Sequence, residues 1–301
     1  MKTFLKRLFF LSAATIAGYG LIVGFKVYRE MWRVNRLYSI GADCRVIALG
    51  SSDAGCSFVE GGEYGTRVFW NSGSSFLFNA MRLRSIAKVN GNGLKNVKIA
   101  LIPFNQHYPS WYKDDMRTLR TFRTLLPSIW MFWLELMPEY RIKSLIDVFQ
   151  NVSQVGGMSE SVPAETSPWT DRNEKIRRAY LEGQWQDHYS WLSWSVEERR
   201  RVTDRIRFDI LQLNKECREL GLTMVLVGTP FTSDYRVGVP DGAIAWMDDI
   251  VKLARDNGIM FYDMKECMPD VKFRDNCHLL LSGANEFTSS IYAKLKEDRL
   301  L

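Results

Sequence analysis

Short apolar runs separated by helix-patterned stretches constrain the fold of this 301-residue chain more than any other feature. Five runs read as strands, at residues 45–49, 67–70, 97–104, 223–228 and 259–263. Apolar runs of this length that alternate with helices mark a parallel sheet covered on both faces. The helical partners begin near Ser75, Val196, Asp241 and Leu281. Residues 196–220 give the clearest case. Ile206, Ile210, Leu213 and Cys217 share one face, arginines and glutamates take the other, and Gly221 ends the helix. Ser282, three residues before Asn285, is expected to cap the last helix. The pattern predicts an α/β fold: a three-layer α/β/α sandwich on a five-stranded, mostly parallel sheet in the order 2-1-3-4-5, within a domain spanning residues 39–301.

Residues 109–194 break the alternation. They are too long for a crossover and hold seven of the ten tryptophans: Trp111, Trp130, Trp133, Trp169, Trp185, Trp191 and Trp194. The expectation is a helical insertion with its own aromatic core. Two sharper alternatives are a platform that stacks on sugar rings and a surface held at the lipid boundary, where tryptophans concentrate.

The N-terminus carries a second constraint. Residues 8–25 form an uncharged stretch of 18, with Lys2, Lys6 and Arg7 before it and Lys26 and Arg29 after it. A bilayer-spanning helix takes about 20 residues, and no small-x-small cleavage site closes the run. An uncleaved signal anchor within residues 1–38 is expected, with a charged stalk leading to the body. The net charge of +6 comes from interspersed charges of both signs and accompanies no nucleic-acid motif, so no nucleic-acid partner is expected. The five cysteines show neither metal nor redox spacing, and their odd number leaves at least one free thiol. Cys56 and Cys277, close to the motifs described next, read as small buried hydrophobes.

Two segments carry chemistry. The strand Val46-Ile-Ala-Leu runs into Gly50-Ser51-Ser52-Asp53, and Asp275-Asn-Cys-His278 precedes Gly283-Ala284 at the opening of the last helix. A serine hydroxyl becomes a nucleophile when a base takes its proton, and histidine serves best when a carboxylate fixes its tautomer. With only His107, His188 and His278 in the chain, His278 is the candidate base. His188 has no neighbour in sequence that suggests chemistry. The bland alternative makes Ser52 a helix cap, His278 a satisfied histidine and Asp275 its cap.

Strand-Gly-x-Ser at the front and Asp-x-x-His with Gly-Ala at the back resemble the SGNH (GDSL-like) hydrolase superfamily. The resemblance is closest to its membrane-anchored branch that modifies bacterial envelope polysaccharides. It implies Ser52 as nucleophile, His278 as base and Asp275 as its orienting carboxylate. It also implies an oxyanion hole from Ser52, Gly73 and Asn105, with Ser51, Asp53 and His107 lining the cleft. Two departures stand out: Ser51 replaces the family's Asp, and Leu101-Ile-Pro-Phe-Asn105-Gln-His107 keeps only the asparagine of the third block. No metal or cofactor is implied. The expected activity is a serine esterase or O-acyltransferase on an extracytoplasmic polysaccharide, with the globular domain on the periplasmic side of the inner membrane. The alternative is a non-catalytic interaction protein on the same scaffold, partnering a membrane acyltransferase or an export complex. The catalytic reading places Ser52 and His278 within about 2.6–3.2 Å, with Asp275 on the other ring nitrogen.

Overall fold

The computed structural model describes residues 40–70, 74–110 and 167–301, together with Gly18, Leu21, Phe25, Tyr28, Trp32, Arg36, Tyr38 and Ser39. Most of the expected span at 8–25, Gly73, and residues 111–166 of the expected insertion lie outside these. Among the described residues no helix is long and apolar enough to cross a membrane. The chain divides into two compact units, residues 1–39 with 122–158 and residues 40–121 with 159–301. In the first unit Gly18, Leu21, Phe25, Tyr28, Trp32, Arg36 and Tyr38 are helical. The second carries the sheet.

Five strands form that sheet: β1 (Val46–Gly50), β2 (Arg67–Trp70), β3 (Ile99–Pro103), β4 (Thr223–Gly228) and β5 (Met260–Asp263). Every pairing is parallel and the order is β2-β1-β3-β4-β5, as the sequence pattern predicts. All five residues of β1 and of β3 are buried, as are five of the six in β4. Side chains alternate across a strand, so complete burial requires cover on both faces. Among the described residues of this unit seven helices accompany the strands: α1 (Ser52–Ser57), α2 (Phe76–Asn90), α3 (Glu174–Tyr189), α4 (Val196–Glu219), α5 (Ser233–Val237), α6 (Asp241–Asp256) and α7 (Leu281–Glu297). Helix α4 packs on α2 and α6, and α7 packs on α1.

The strand order reverses its winding at β1 and β3. At such a switch point the connections leave in opposite directions and open a crevice at the C-terminal edge. The Ser51-Ser52 turn leaves β1 there, and Asn105 to His107 leave β3 beside it. Helix starts follow the expectation at Ser75, Val196 and Asp241, and Ser195 and Glu198 form a reciprocal capping box ahead of α4. The last helix also starts as expected, at Leu281, but without the expected cap. Its N-cap is Leu280 with no side-chain cap bond, and Ser282 already lies within α7.

Candidate active site

Ser51, not Ser52, is the N-cap of α1: its hydroxyl accepts from the Asp53 N–H at 3.3 Å. That corrects the bland reading of the motif, because the cap falls on a wholly buried neighbour and Ser52 has no cap duty. The glycine ahead of the turn is set by crowding. A Cβ at Gly50 would sit 2.9 Å from Ala54 Cβ and 3.0 Å from Pro103 Cδ, so β1 and β3 could not approach as they do.

At the opposite end of the sequence, Asp275 and His278 form a closed turn. Asp275 Oδ1 accepts the peptide N–H groups of Cys277 (3.1 Å) and His278 (2.9 Å), while Oδ2 meets His278 Nδ1 at 2.9 Å. An ionised carboxylate only accepts, so in the neutral ring the proton lies on Nδ1 and Nε2 carries the lone pair. His278 Nε2 is buried and has no hydrogen-bond partner among the described residues. The expected hydrogen bond between Ser52 and His278 is therefore not formed. A glycine again explains the motif: a Cβ at Gly283 would lie 2.7 Å from the Lys272 carbonyl oxygen, so the start of α7 can close under this turn only with glycine there.

The charges follow the geometry. Burial works to raise the Asp275 pKa, but the His278 ring and the two peptide N–H groups hold it below the ordinary 3.8. Burial likewise opposes charge on His278, whose pKa nevertheless stands well above 6.5 beside Cys277 and Asp275. The Cys277 thiol is pushed up to about 11, first by burial, and is neutral at physiological pH. Asp275 is therefore the partner that favours the imidazolium.

The other described residues expected at the site are shielded from solvent and not exposed in an open cleft. Ser51, Asp53, Asn105 and His107 are all buried. Asp53 Oδ2 faces His107 Nε2 at 3.4 Å and the Asn105 amide at 3.5 Å. Burial works to raise the Asp53 pKa, but the His107 contact and the nearby His278 hold it below the ordinary 3.8. The Asn105 amide, expected to face an oxyanion, donates to Thr229 Oγ1 at 2.6 Å and toward Asp53. In this arrangement Asn105 braces β3 against β4.

His188 also departs from expectation. It stacks on His107 with ring centroids 4.5 Å apart and 24° between planes, and its Nδ1 meets the Tyr235 hydroxyl at 2.6 Å. Burial, then His107, pushes its pKa down to about 3, so the ring is neutral. Helix α3 thus brings part of the expected insertion against the site. The sequence hid this because His188 and His107 are 81 positions apart and share no local motif. Arg82 went unnoticed as well. From within α2 its Nη1 donates to the carbonyls of Gly50 (3.3 Å) and Phe69 (2.8 Å) and to Asn79 Oδ1 (3.1 Å), tying the edges of β1 and β2 together. Of the four described tryptophans in the expected insertion, Trp169 and Trp191 are buried, and Trp185 donates to the Tyr235 carbonyl oxygen. Trp169 and Trp191 pack inward, which overturns the stacking-platform alternative for those two, while Trp185 is half-buried.

No protein-family model matches the chain, and no curated protein matches it in sequence. Among solved structures, its trace is similar to that of a protein from Bacteroides fragilis assigned as an acylhydrolase. The TM-score is 0.41 at 9% identity, over 85% of this chain and 88% of the other. A GDSL-like lipase from Bacteroides thetaiotaomicron is similar with TM-score 0.43 at 8% identity, over 91% of this chain and 99% of the other.

Proposed function

We propose that this chain is a serine-dependent esterase or O-acyltransferase of the SGNH type. The observation that carries the reading is the Asp275–His278 pair at 2.9 Å, with a buried, unpartnered Nε2, in a body whose β1 edge presents Ser52. In the proposed cycle Ser52 Oγ attacks the acyl carbonyl carbon as its proton passes to His278 Nε2, and the carbonyl electron pair moves onto oxygen. Peptide N–H groups of the turn after β1 meet that oxyanion. Collapse breaks the ester bond, and His278 returns the proton to the departing alcohol. The acyl-serine then yields to water, or to a sugar hydroxyl if water is held off. His278 takes and returns the proton in this second half too, with Asp275 fixing its tautomer throughout.

The extracytoplasmic polysaccharide substrate and the inner-membrane anchor at 8–25 belong to the same proposal, supported by the sequence resemblance and the uncharged N-terminal stretch. A second reading, a non-catalytic partner of a membrane acyltransferase, is favoured by two observations: Ser52 makes no hydrogen bond to His278, and the Asn105 amide is already engaged. Labelling by a fluorophosphonate probe decides between them. The catalytic reading expects labelling of the native chain, abolished in Ser52→Ala. An unlabelled native chain establishes the partner reading instead.

A further inference from the structure

The Asp275–His278 turn holds a third donor that the proposed cycle does not use. Cys277 Sγ lies 3.7 Å from Asp275 Oδ1 and 3.7 Å from His278 Nδ1, and that nitrogen is 2.9 Å from Asp275 Oδ2. One ligand atom from each residue falls within 4.8 Å of the others. Tetrahedral zinc, with bonds of about 2.3 Å to sulfur and ~2.0–2.1 Å to nitrogen and oxygen, spaces its ligand atoms roughly 3.3–3.6 Å apart. The sulfur–nitrogen edge already lies near that spacing, and with Oδ2 as the carboxylate ligand the nitrogen–oxygen edge needs to open by roughly 0.4 Å.

We propose that Asp275, Cys277 and His278 form a capture site for a soft divalent cation of the zinc class, and that its occupation switches the esterase off. One sulfur, one imidazole nitrogen and one carboxylate make a borderline-soft donor set. It suits zinc or cadmium and is wrong for magnesium or calcium, which take oxygen. The three residues come from a single turn that Asp275 already holds closed through two peptide N–H groups, so little ordering is required on binding. The side chains of His278 and Asp275 are 17% and 12% exposed, which gives the ion a way in and water a fourth position.

Binding sends the Cys277 thiol proton to solvent, and the Nδ1 proton of the neutral His278 ring moves through solvent to Nε2 as the metal takes its place, so one proton is released in all. A neutral imidazole has one N–H and one lone pair. With the lone pair on Nδ1 given to the metal, the ring proton resides on Nε2, and that nitrogen cannot accept the proton of Ser52. The switch rests on the proposed catalytic role of His278; the binding does not.

Cadmium alone, added to the full-length chain, tests the binding through its thiolate-to-metal absorption band in the near ultraviolet. Cys267 is the exposed thiol, so the titration is made in a Cys267→Ser background. The expected result is a band that saturates at one equivalent and is lost on adding Cys277→Ser, which keeps the peptide N–H that Asp275 accepts. Should the serine variant melt abnormally, Cys277→Ala supplies a second chain without the thiol. Zinc should abolish ester turnover in the Cys267→Ser parent, a chelator should restore it, and Cys277→Ser should need more than ten times as much zinc. No band at stoichiometric cadmium, or an unchanged band without Cys277, overturns the site. Zinc that binds but leaves turnover untouched overturns the switch. A band in a chain with no esterase activity upholds the site and sinks the functional reading alone.

Discussion

Ser52, Asp275 and His278 contribute through different physical effects, so their losses should differ in kind. Ser52→Ala removes the nucleophile and is expected to lower kcat/KM on an aryl ester by at least about 10³-fold, with the fold intact. Asp275→Asn frees the His278 tautomer and is expected to cost about 10⁴-fold, mostly in kcat. The pH profile follows from the raised pKa of His278. Below that pKa the ring is an imidazolium with no lone pair on Nε2, so activity should rise with pH along a limb centred above 6.5. In Asp275→Asn the limb should move to lower pH as the charge partner is lost. A limb unmoved by the substitution would show that Asp275 does not set the titration. Stability runs the other way for each partner. The raised His278 stabilises the fold below its unfolded pKa and loses that contribution as pH rises through the folded one. The lowered Asp275 contributes above its unfolded pKa and loses it as pH falls through the folded one.

Among the elements, strands and helix starts were the most legible part of the sequence, because burial on both faces of β1, β3 and β4 demands unbroken apolar runs. Boundaries moved where backbone geometry decides. Residues 97 and 98 read as strand by composition, yet β3 begins at Ile99, where the Lys98 and Ile99 N–H groups share the Arg45 carbonyl oxygen as acceptor. Asp275 and His278 were legible because the carboxylate and the imidazole are three residues apart in one turn. The supporting residues were not, since Arg82, His188 and Thr229 come from separate elements with no shared spacing. Arg82 gives a test at this scale. Replacing it with methionine keeps bulk but leaves buried carbonyls without a donor, at about 1–3 kcal/mol for each group left unmet. Denaturant unfolding of Arg82→Met should show that loss, and kcat should fall more than KM changes as the turn after β1 loosens. Unchanged stability together with an unchanged kcat would remove Arg82 from any part in holding β1 and β2. His188→Ala gives the parallel test for α3. It should open space beside His107 and weaken turnover while leaving fluorophosphonate labelling of Ser52 in place.

At the scale of the whole molecule, the proposed chemistry depends on where the body is kept. A soluble esterase searches the entire compartment, whereas a tethered one searches only the layer near the bilayer, where a lipid-linked glycan and a membrane acyl donor would be found. The uncharged stretch at 8–25 is the proposed tether, flanked by Lys2, Lys6 and Arg7 on one side and Lys26 and Arg29 on the other. A central aspartate in a spanning helix costs roughly 2.5–3.5 kcal/mol on insertion scales, so two together should outweigh the marginal length of this segment. The native chain is expected to stay with membranes through carbonate washing, and Ile16→Asp with Leu21→Asp is expected to release it or to block its export. Ester turnover by the released body on a small aryl ester should be unchanged, because the sheet and the Asp275–His278 turn lie in the unit of residues 40–121 and 159–301. Acyl transfer to a membrane-held acceptor should fall with release, since only the local concentration has been altered. A native chain recovered in the soluble fraction would remove the tether and leave hydrolysis as the simpler outcome for an acyl-Ser52 intermediate.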